Sequence, residues 1–112
     1  MIKATIIKSS DGRYRGFEVS GHAGFAEYGN DVVCAAVSML VINTVNSIEE
    51  FTDDKFTVDE NEKKGLISFK FVNDEVSPKA VLLLDSLVLG LTGAAKEYGD
   101  YLSVKTIRIE EV

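Results

Sequence analysis

The chain has 112 residues, which is the size of one compact domain and too short for two independent folding units. Hydrophobic residues make up 46% of it and charged residues 27%, a balance that excludes a disordered segment. Twelve Lys and Arg residues against eighteen Asp and Glu residues give a net charge of −6, which argues against direct binding of nucleic acid.

The first predicted element is a β-hairpin. Residues 2–8 and 14–20 are short β-prone runs, and the Asp11-Gly12 pair between them suits a tight turn. The segment from Gly21 to Asn30 contains three glycines and no regular hydrophobic period. We therefore expect it to form an irregular loop.

A long helix is predicted from Val32 to about Phe51, because apolar residues recur there at steps of three and four. Asp31 comes directly before it and is expected to be its N-cap. A second hairpin follows, with strands at residues 56–59 and 66–72 on either side of a charged turn.

A second helix is predicted after Ser77, which suits an N-cap, and Pro78, which suits the first helical position. Its apolar pattern continues to Tyr98, and Gly99 is expected to end it. A last strand covers residues 102–109. The predicted order is β-β-α-β-β-α-β in a single domain.

This order predicts an α+β fold, in which two helices lie on one face of a mainly antiparallel sheet of about five strands. Both helices carry more apolar side chains than one buried face requires. The surplus favours a homodimer, although the two helices could instead cover each other.

The sequence argues against an internal disulfide, a zinc site, a membrane span and a signal peptide. The one cysteine cannot form an internal disulfide, and together with the one histidine it provides only two of the three or four protein ligands usual for zinc. We expect no metal and no cofactor. The apolar runs are interrupted and shorter than the roughly 20 residues of a membrane span, so no membrane is expected. The N-terminus lacks the features of a signal peptide, which predicts a cytoplasmic protein.

Cys34 is the candidate nucleophile. If Asp31 caps the helix, Cys34 is the third helical residue, where unpaired N–H groups and the helix dipole stabilise an anion. A helix N-terminus and a nearby imidazolium both lower the pKa of a cysteine. The alternative interpretation is a small buried apolar residue.

His22 is the candidate base, since the glycine-rich loop that carries it must return to the start of the helix. Ser38 lies four residues after Cys34 on the same helical face and could orient the imidazole, or could bond the carbonyl of Cys34 instead. Asp31 could also orient the imidazole, although a capping role alone explains it.

The loop offers further candidates. Gly21 and Gly24 could let backbone amides stabilise an oxyanion, or could only allow the chain to turn. Phe25 and Tyr28 could cover a bound peptide side chain, or could fold inward onto the helix.

Gly21-His22-Ala23-Gly24, followed by Asp31-Val32-Val33-Cys34-Ala35-Ala36-Val37-Ser38, is similar to the signature of the bacterial ribosomal-processing cysteine protease family, often called Prp. The resemblance covers the whole chain in length and in element order. It implies a homodimeric cysteine protease that removes an N-terminal extension from large-subunit ribosomal protein twenty-seven, a step in ribosome maturation. The acidic surface would then favour encounter with a basic ribosomal substrate.

The resemblance also implies the residue roles. Cys34 would be the nucleophile and His22 its general base and acid, with Gly21, Asp31 and Ser38 in support. The loop from Gly24 to Asn30 would be a mobile substrate loop, in which the named candidates are Gly24, Phe25, Tyr28 and Gly29. Two other functions remain open: a ribosome-associated peptide-binding module without catalysis, and a thiol redox sensor based on Cys34.

Overall fold

The computed structural model describes residues 1–21, 30–61 and 65–109, with the side chains of the middle range described from residue 32 onward. It confirms the predicted order of elements. These are β1 (Ile2–Ser9), β2 (Tyr14–Ser20), α1 (Asn30–Phe51), β3 (Phe56–Asn61), β4 (Leu66–Phe71), α2 (Pro78–Glu97) and β5 (Leu102–Ile109).

The sheet has the strand order β3-β4-β2-β1-β5. Both hairpins and the β2–β4 pair are antiparallel, whereas β1 and β5 run parallel from Ile2↔Leu102 to Ser9↔Ile109. The parallel pair follows from the path of the chain, because α2 carries it back along the sheet before β5 begins. The sheet is therefore mixed and mainly antiparallel, as predicted.

Local sequence signals account for the turns and for the start of α2. Gly12 has a φ of 88° and Gly65 a φ of 59°, in the left-handed region that glycine adopts without strain. The Ser77 side chain accepts a hydrogen bond from the backbone N–H of Ala80, and Pro78 is the first helical residue. The predicted cap of α2 is confirmed.

The core lies between the sheet and one face of each helix. The rings of Phe17 and Phe69 stack at its centre with centroids 4.9 Å apart. The helices contribute buried residues at steps of three and four, which is the spacing of a single face: Val33, Val37, Val41, Thr44 and Ile48 from α1, and Ala80, Leu84, Leu87 and Leu91 from α2.

The outer faces of the two helices remain apolar and exposed. Met39 is 67% exposed on α1, and Leu82 and Leu89 are 68% and 76% exposed on α2. Both helices are also long and apolar enough to span a membrane by length and composition alone, although one face of each is packed on the sheet. The absence of a membrane span stays a prediction from the sequence.

The start of α1 differs from the prediction. The helix begins at Asn30, so Asp31 is its second residue and not its cap, and Cys34 is its fifth residue and not its third. Only the first four N–H groups of a helix lack an intrahelical partner, and the dipole effect falls off within the first turn. The argument that the helix start stabilises a Cys34 thiolate is therefore weaker than the sequence suggested.

Candidate active site

Cys34 lies at the end of the sheet where β2 ends and α1 begins. Its side chain is half-buried, and its Sγ is 4.0 Å from the carbonyl oxygen of Gly21, the residue that follows β2. Thirteen residues separate the two along the chain, so the fold brings them together. The cysteine predicted as nucleophile thus lies beside the residue that precedes the predicted base.

Gly21 is required at its position by its backbone conformation. Its φ is 84°, and a Cβ atom added there would lie 2.6 Å from the carbonyl oxygen of Met1. Both observations exclude larger residues, since the close contact is with backbone that cannot rotate away. Gly21 therefore fixes the direction in which the chain leaves β2 toward His22.

Cys34 and Ser38 share the flank of α1 that points away from α2. Positions four residues apart lie on one side of a helix, and both side chains are half-buried there. In the described part of the chain, Ser38 makes no hydrogen bond to the carbonyl of Cys34, whereas Thr44 bonds the carbonyl of Leu40 at 2.8 Å. The back-bonding alternative for Ser38 is not what the structure shows.

The remaining predicted site residues lie wholly or partly outside the part of the chain that the structure describes. His22, Gly24, Phe25, Tyr28 and Gly29 lie outside the described residues, and the structure describes only the backbone of Asp31. The approach of the His22 imidazole to Cys34 and the substrate-loop role stay predictions.

A small apolar cavity on the same flank of α1 was missed by the sequence analysis. It has a volume of about 100 Å³ and lies between α1 and the β3–β4 hairpin, with Val41, Ile42, Val45, Asn46, Val58, Glu60 and Ile67 as its lining. Its helix side was visible in the sequence as apolar residues at helical spacing after Cys34. Its strand side depends on tertiary packing, which no local pattern indicated.

The part of the chain that the structure describes has no cluster of metal ligands. Within residues 1–21, 30–61 and 65–109, no three His, Cys, Asp or Glu side chains are grouped so that they could hold a metal ion. What the site offers is a half-buried thiol beside the carbonyl oxygen of Gly21, and a thiol is suited to nucleophilic chemistry.

Comparison with known proteins points to one family. The sequence model of the family described as cysteine protease Prp matches residues 1–103. The ribosomal processing cysteine protease Prp of Bacillus subtilis is 37% identical over 109 residues, which is 95% of this chain and 97% of that protein.

Solved structures show the same likeness. The crystal structure of the Staphylococcus aureus ribosomal processing protease Prp in complex with a substrate peptide superposes with a TM-score of 0.89 at 25% identity, covering 96% of this chain and all of that one. A Streptococcus mutans crystal structure superposes with a TM-score of 0.87 at 33% identity, covering 97% and 96% of the two chains. A further Staphylococcus aureus Prp structure, which contains a covalently linked product peptide, has a TM-score of 0.84 at 26% identity.

Proposed function

The chain belongs to the cysteine protease Prp family, and from this premise we propose that it removes the N-terminal extension of large-subunit ribosomal protein twenty-seven during ribosome maturation. The observation that carries the proposal is the position of Cys34 beside Gly21, where the chain turns toward the only histidine. Family membership also favours hydrolysis over the peptide-binding module and the redox sensor.

The proposed reaction is nucleophilic catalysis in two stages. His22 accepts the proton of the Cys34 thiol, and the sulfur attacks the carbonyl carbon of the scissile peptide bond. Backbone N–H groups stabilise the oxyanion of the tetrahedral intermediate. His22 then protonates the amine that leaves as the C–N bond breaks, which produces a thioester on Cys34.

Water completes the cycle. His22 takes a proton from the water as its oxygen attacks the thioester carbonyl carbon, and the C–S bond then breaks. The peptide is released with a free carboxyl group, and the Cys34 sulfur takes the proton back from His22. Ser38 supports this step in the proposal, because its hydroxyl lies on the same flank of α1 as the thiol. Asp31 is the second candidate for orienting the imidazole.

Peptide binding is supported by the two Staphylococcus aureus structures, one with a substrate peptide and one with a covalently linked product peptide. The chain has a net charge of −6, and ribosomal proteins are typically basic, so opposite charges would speed encounter. A ribosomal substrate also implies a cytoplasmic location.

We extend the proposal to a homodimer formed through the outer faces of both helices. Met39, Leu82 and Leu89 are each at least two-thirds exposed, and side chains of this size gain free energy when a partner covers them. The helices pack directly on each other, with Gly90 against Leu40, so their outer faces form one continuous surface. A second copy with the same surface would cover it.

The test is the intact mass of the extended ribosomal protein after incubation with this protein or with its Cys34→Ala variant. We expect one truncation near the N-terminus of the precursor with the wild type and none with the variant. An unchanged mass with correctly folded wild type would overturn the substrate assignment, and cleavage by the variant would overturn the nucleophile.

A further inference from the structure

The flank of α1 that carries Cys34 continues as an apolar stripe toward the other end of the helix. Cys34, Ser38, Val41 and Val45 follow one another at steps of four and three residues, which keeps them on one side. At the helical rise of 1.5 Å per residue, Val41 lies about 10 Å from Cys34 along the axis. The small cavity described above opens at this point of the stripe.

The opposite wall of the cavity belongs to the β3–β4 hairpin, close to the same end of the sheet. Ile67 pairs with Val19, two residues before Gly21, and Glu60 pairs with Ile67 from the edge strand β3. The cavity thus lies on the same helix flank as Cys34, and its strand wall is close to the end of the sheet where Cys34 lies. The described part of the chain also has larger cavities of about 370, 320 and 260 Å³. They lie at the opposite end of the sheet, at the start of α2, and beside Tyr14 and Asp85.

We propose that this cavity is a specificity pocket that receives an apolar side chain of the peptide substrate, three to four residues from the scissile bond. An extended peptide advances about 3.3 Å per residue, so a chain whose scissile carbonyl lies at Cys34 spans the distance to Val41 in about three residues. This inference rests on the protease activity of the proposed function, and not on the identity of the ribosomal substrate.

The chemistry of the lining identifies the occupant. The walls are aliphatic side chains, which favour a Leu-sized or aromatic residue over a charged one. Two polar residues, Asn46 and Glu60, complete the lining, and the Glu60 carboxylate disfavours an acidic residue in the peptide.

The experiment profiles cleavage of a mixed peptide library by wild type, Val58→Phe and Val104→Phe. Val58 and Val104 are both half-buried on edge strands of the sheet, but only Val58 lines the cavity. We expect the wild type to prefer Leu over Ala about tenfold in kcat/KM at one position three to four residues from the cut. Val58→Phe fills the pocket and reduces that preference to below about twofold, while Val104→Phe preserves it.

Ile42→Ala is the second variant, chosen because Ile42 is 48% exposed and its truncation leaves the core intact. It widens the pocket and is expected to raise KM for Leu-containing peptides, with kcat unchanged. The rate of Cys34 alkylation, measured in parallel, reports whether each variant retains the native site.

Two results would overturn the pocket assignment: a wild type without apolar preference at that position, or a preference that Val58→Phe leaves unchanged. If only the substrate assignment is wrong, the protein would cut library peptides but would not cut the ribosomal precursor.

Discussion

Gly21 connects three parts of the molecule: the end of β2, the first residue of the chain and the thiol of Cys34. Gly21→Ala places a Cβ atom against the carbonyl oxygen of Met1 and forces a left-handed conformation that costs about 1–2 kcal/mol for a residue with a side chain. We expect a loss of unfolding free energy of at least that size, together with a large loss of cleavage rate. Urea denaturation and a peptide cleavage assay measure the two effects.

Gly93→Ala is the matched control for this substitution. Gly93 lies within α2, and a Cβ atom there meets nothing within 4 Å. Because alanine is the better helix former, we expect stability to stay the same or to rise by up to about 1 kcal/mol. Equal losses in both variants would contradict the assignment of Gly21 as a conformationally required residue.

Because the pKa of Tyr14 is raised, we expect the free energy of unfolding to fall in strong base. Burial, the hydrogen bond that its hydroxyl donates to the Asp85 carboxylate and the negative charge of that carboxylate together raise its pKa from 10.0 to about 12. Since the neutral phenol is favoured only in the folded state, its contribution is complete below pH 10.0 and is lost as the pH rises toward about 12.

The measurement is a comparison of unfolding free energies for wild type and Tyr14→Phe between pH 8 and pH 12. The wild type should lose more stability than the variant over the upper part of this range. Parallel curves would show that Tyr14 titrates as an ordinary exposed tyrosine.

At the scale of elements, the start of α2 is joined to the end of α1 through one carboxylate. Asp54 accepts hydrogen bonds from the Ser77 backbone N–H at 2.8 Å, from the Ser77 hydroxyl and from the Asn73 amide at 3.2 Å. Burial raises the pKa of Asp54, but these hydrogen bonds, together with one involving Thr52, outweigh it and hold the pKa below its ordinary value of 3.8.

Asp54→Ala should therefore destabilise the protein by about 1–3 kcal/mol at neutral pH, because Ser77 and Asn73 lose their shared acceptor. The stabilisation from Asp54 is present above its ordinary pKa of 3.8 and is lost as the pH falls through the lowered folded value. Thermal unfolding at pH 7 and at pH 3 tests this, with a smaller difference between wild type and variant in acid as the expected result. A difference that grows in acid would contradict the assignment.

These elements show how far local sequence patterns reach. Ser77-Pro78 predicted the start of α2 because capping and the fixed φ of proline act within one turn. The start of α1 was misplaced by two residues, from Asn30 to Val32, since Asn30 and Asp31 adjoin and both suit a helix start. The expected stabilisation of the Cys34 thiolate depended on how far Cys34 lies from that start. A small error in the helix boundary therefore changed a chemical expectation.

The candidate site was predictable only in part, because local patterns do not show how distant elements pack. The positions of Cys34 and Ser38 on one helix face follow from spacing, whereas the contact of Cys34 with Gly21 and the cavity beside Val58 depend on how distant elements pack. No periodicity in the chain specifies which strand a helix flank faces. The role of His22 rests on its place in the glycine-rich loop and on the family resemblance, and it stays a prediction.

At the scale of the whole molecule, the exposed helix surface predicts the oligomeric state. Leu89→Lys places a charge where a second copy is proposed to pack. By analytical ultracentrifugation we expect a dimer for the wild type and a monomer for this variant. Val72→Lys is the control, because Val72 is 61% exposed and lies outside both helices. A dimer that survives in Leu89→Lys would move the interface elsewhere.

The parallel pairing of β1 with β5 has a consequence for synthesis. The backbone N–H of Ile2 donates to the carbonyl of Tyr101 at 2.8 Å, and the following residues pair with β5 along its whole length. While a ribosome is still making the chain, β1 has no neighbour on that side and remains an open edge. The sheet end that holds Gly21 against Met1 is completed only when residues 102–109 have emerged, so a nascent copy of this protease would be a poor catalyst until its last strand is in place.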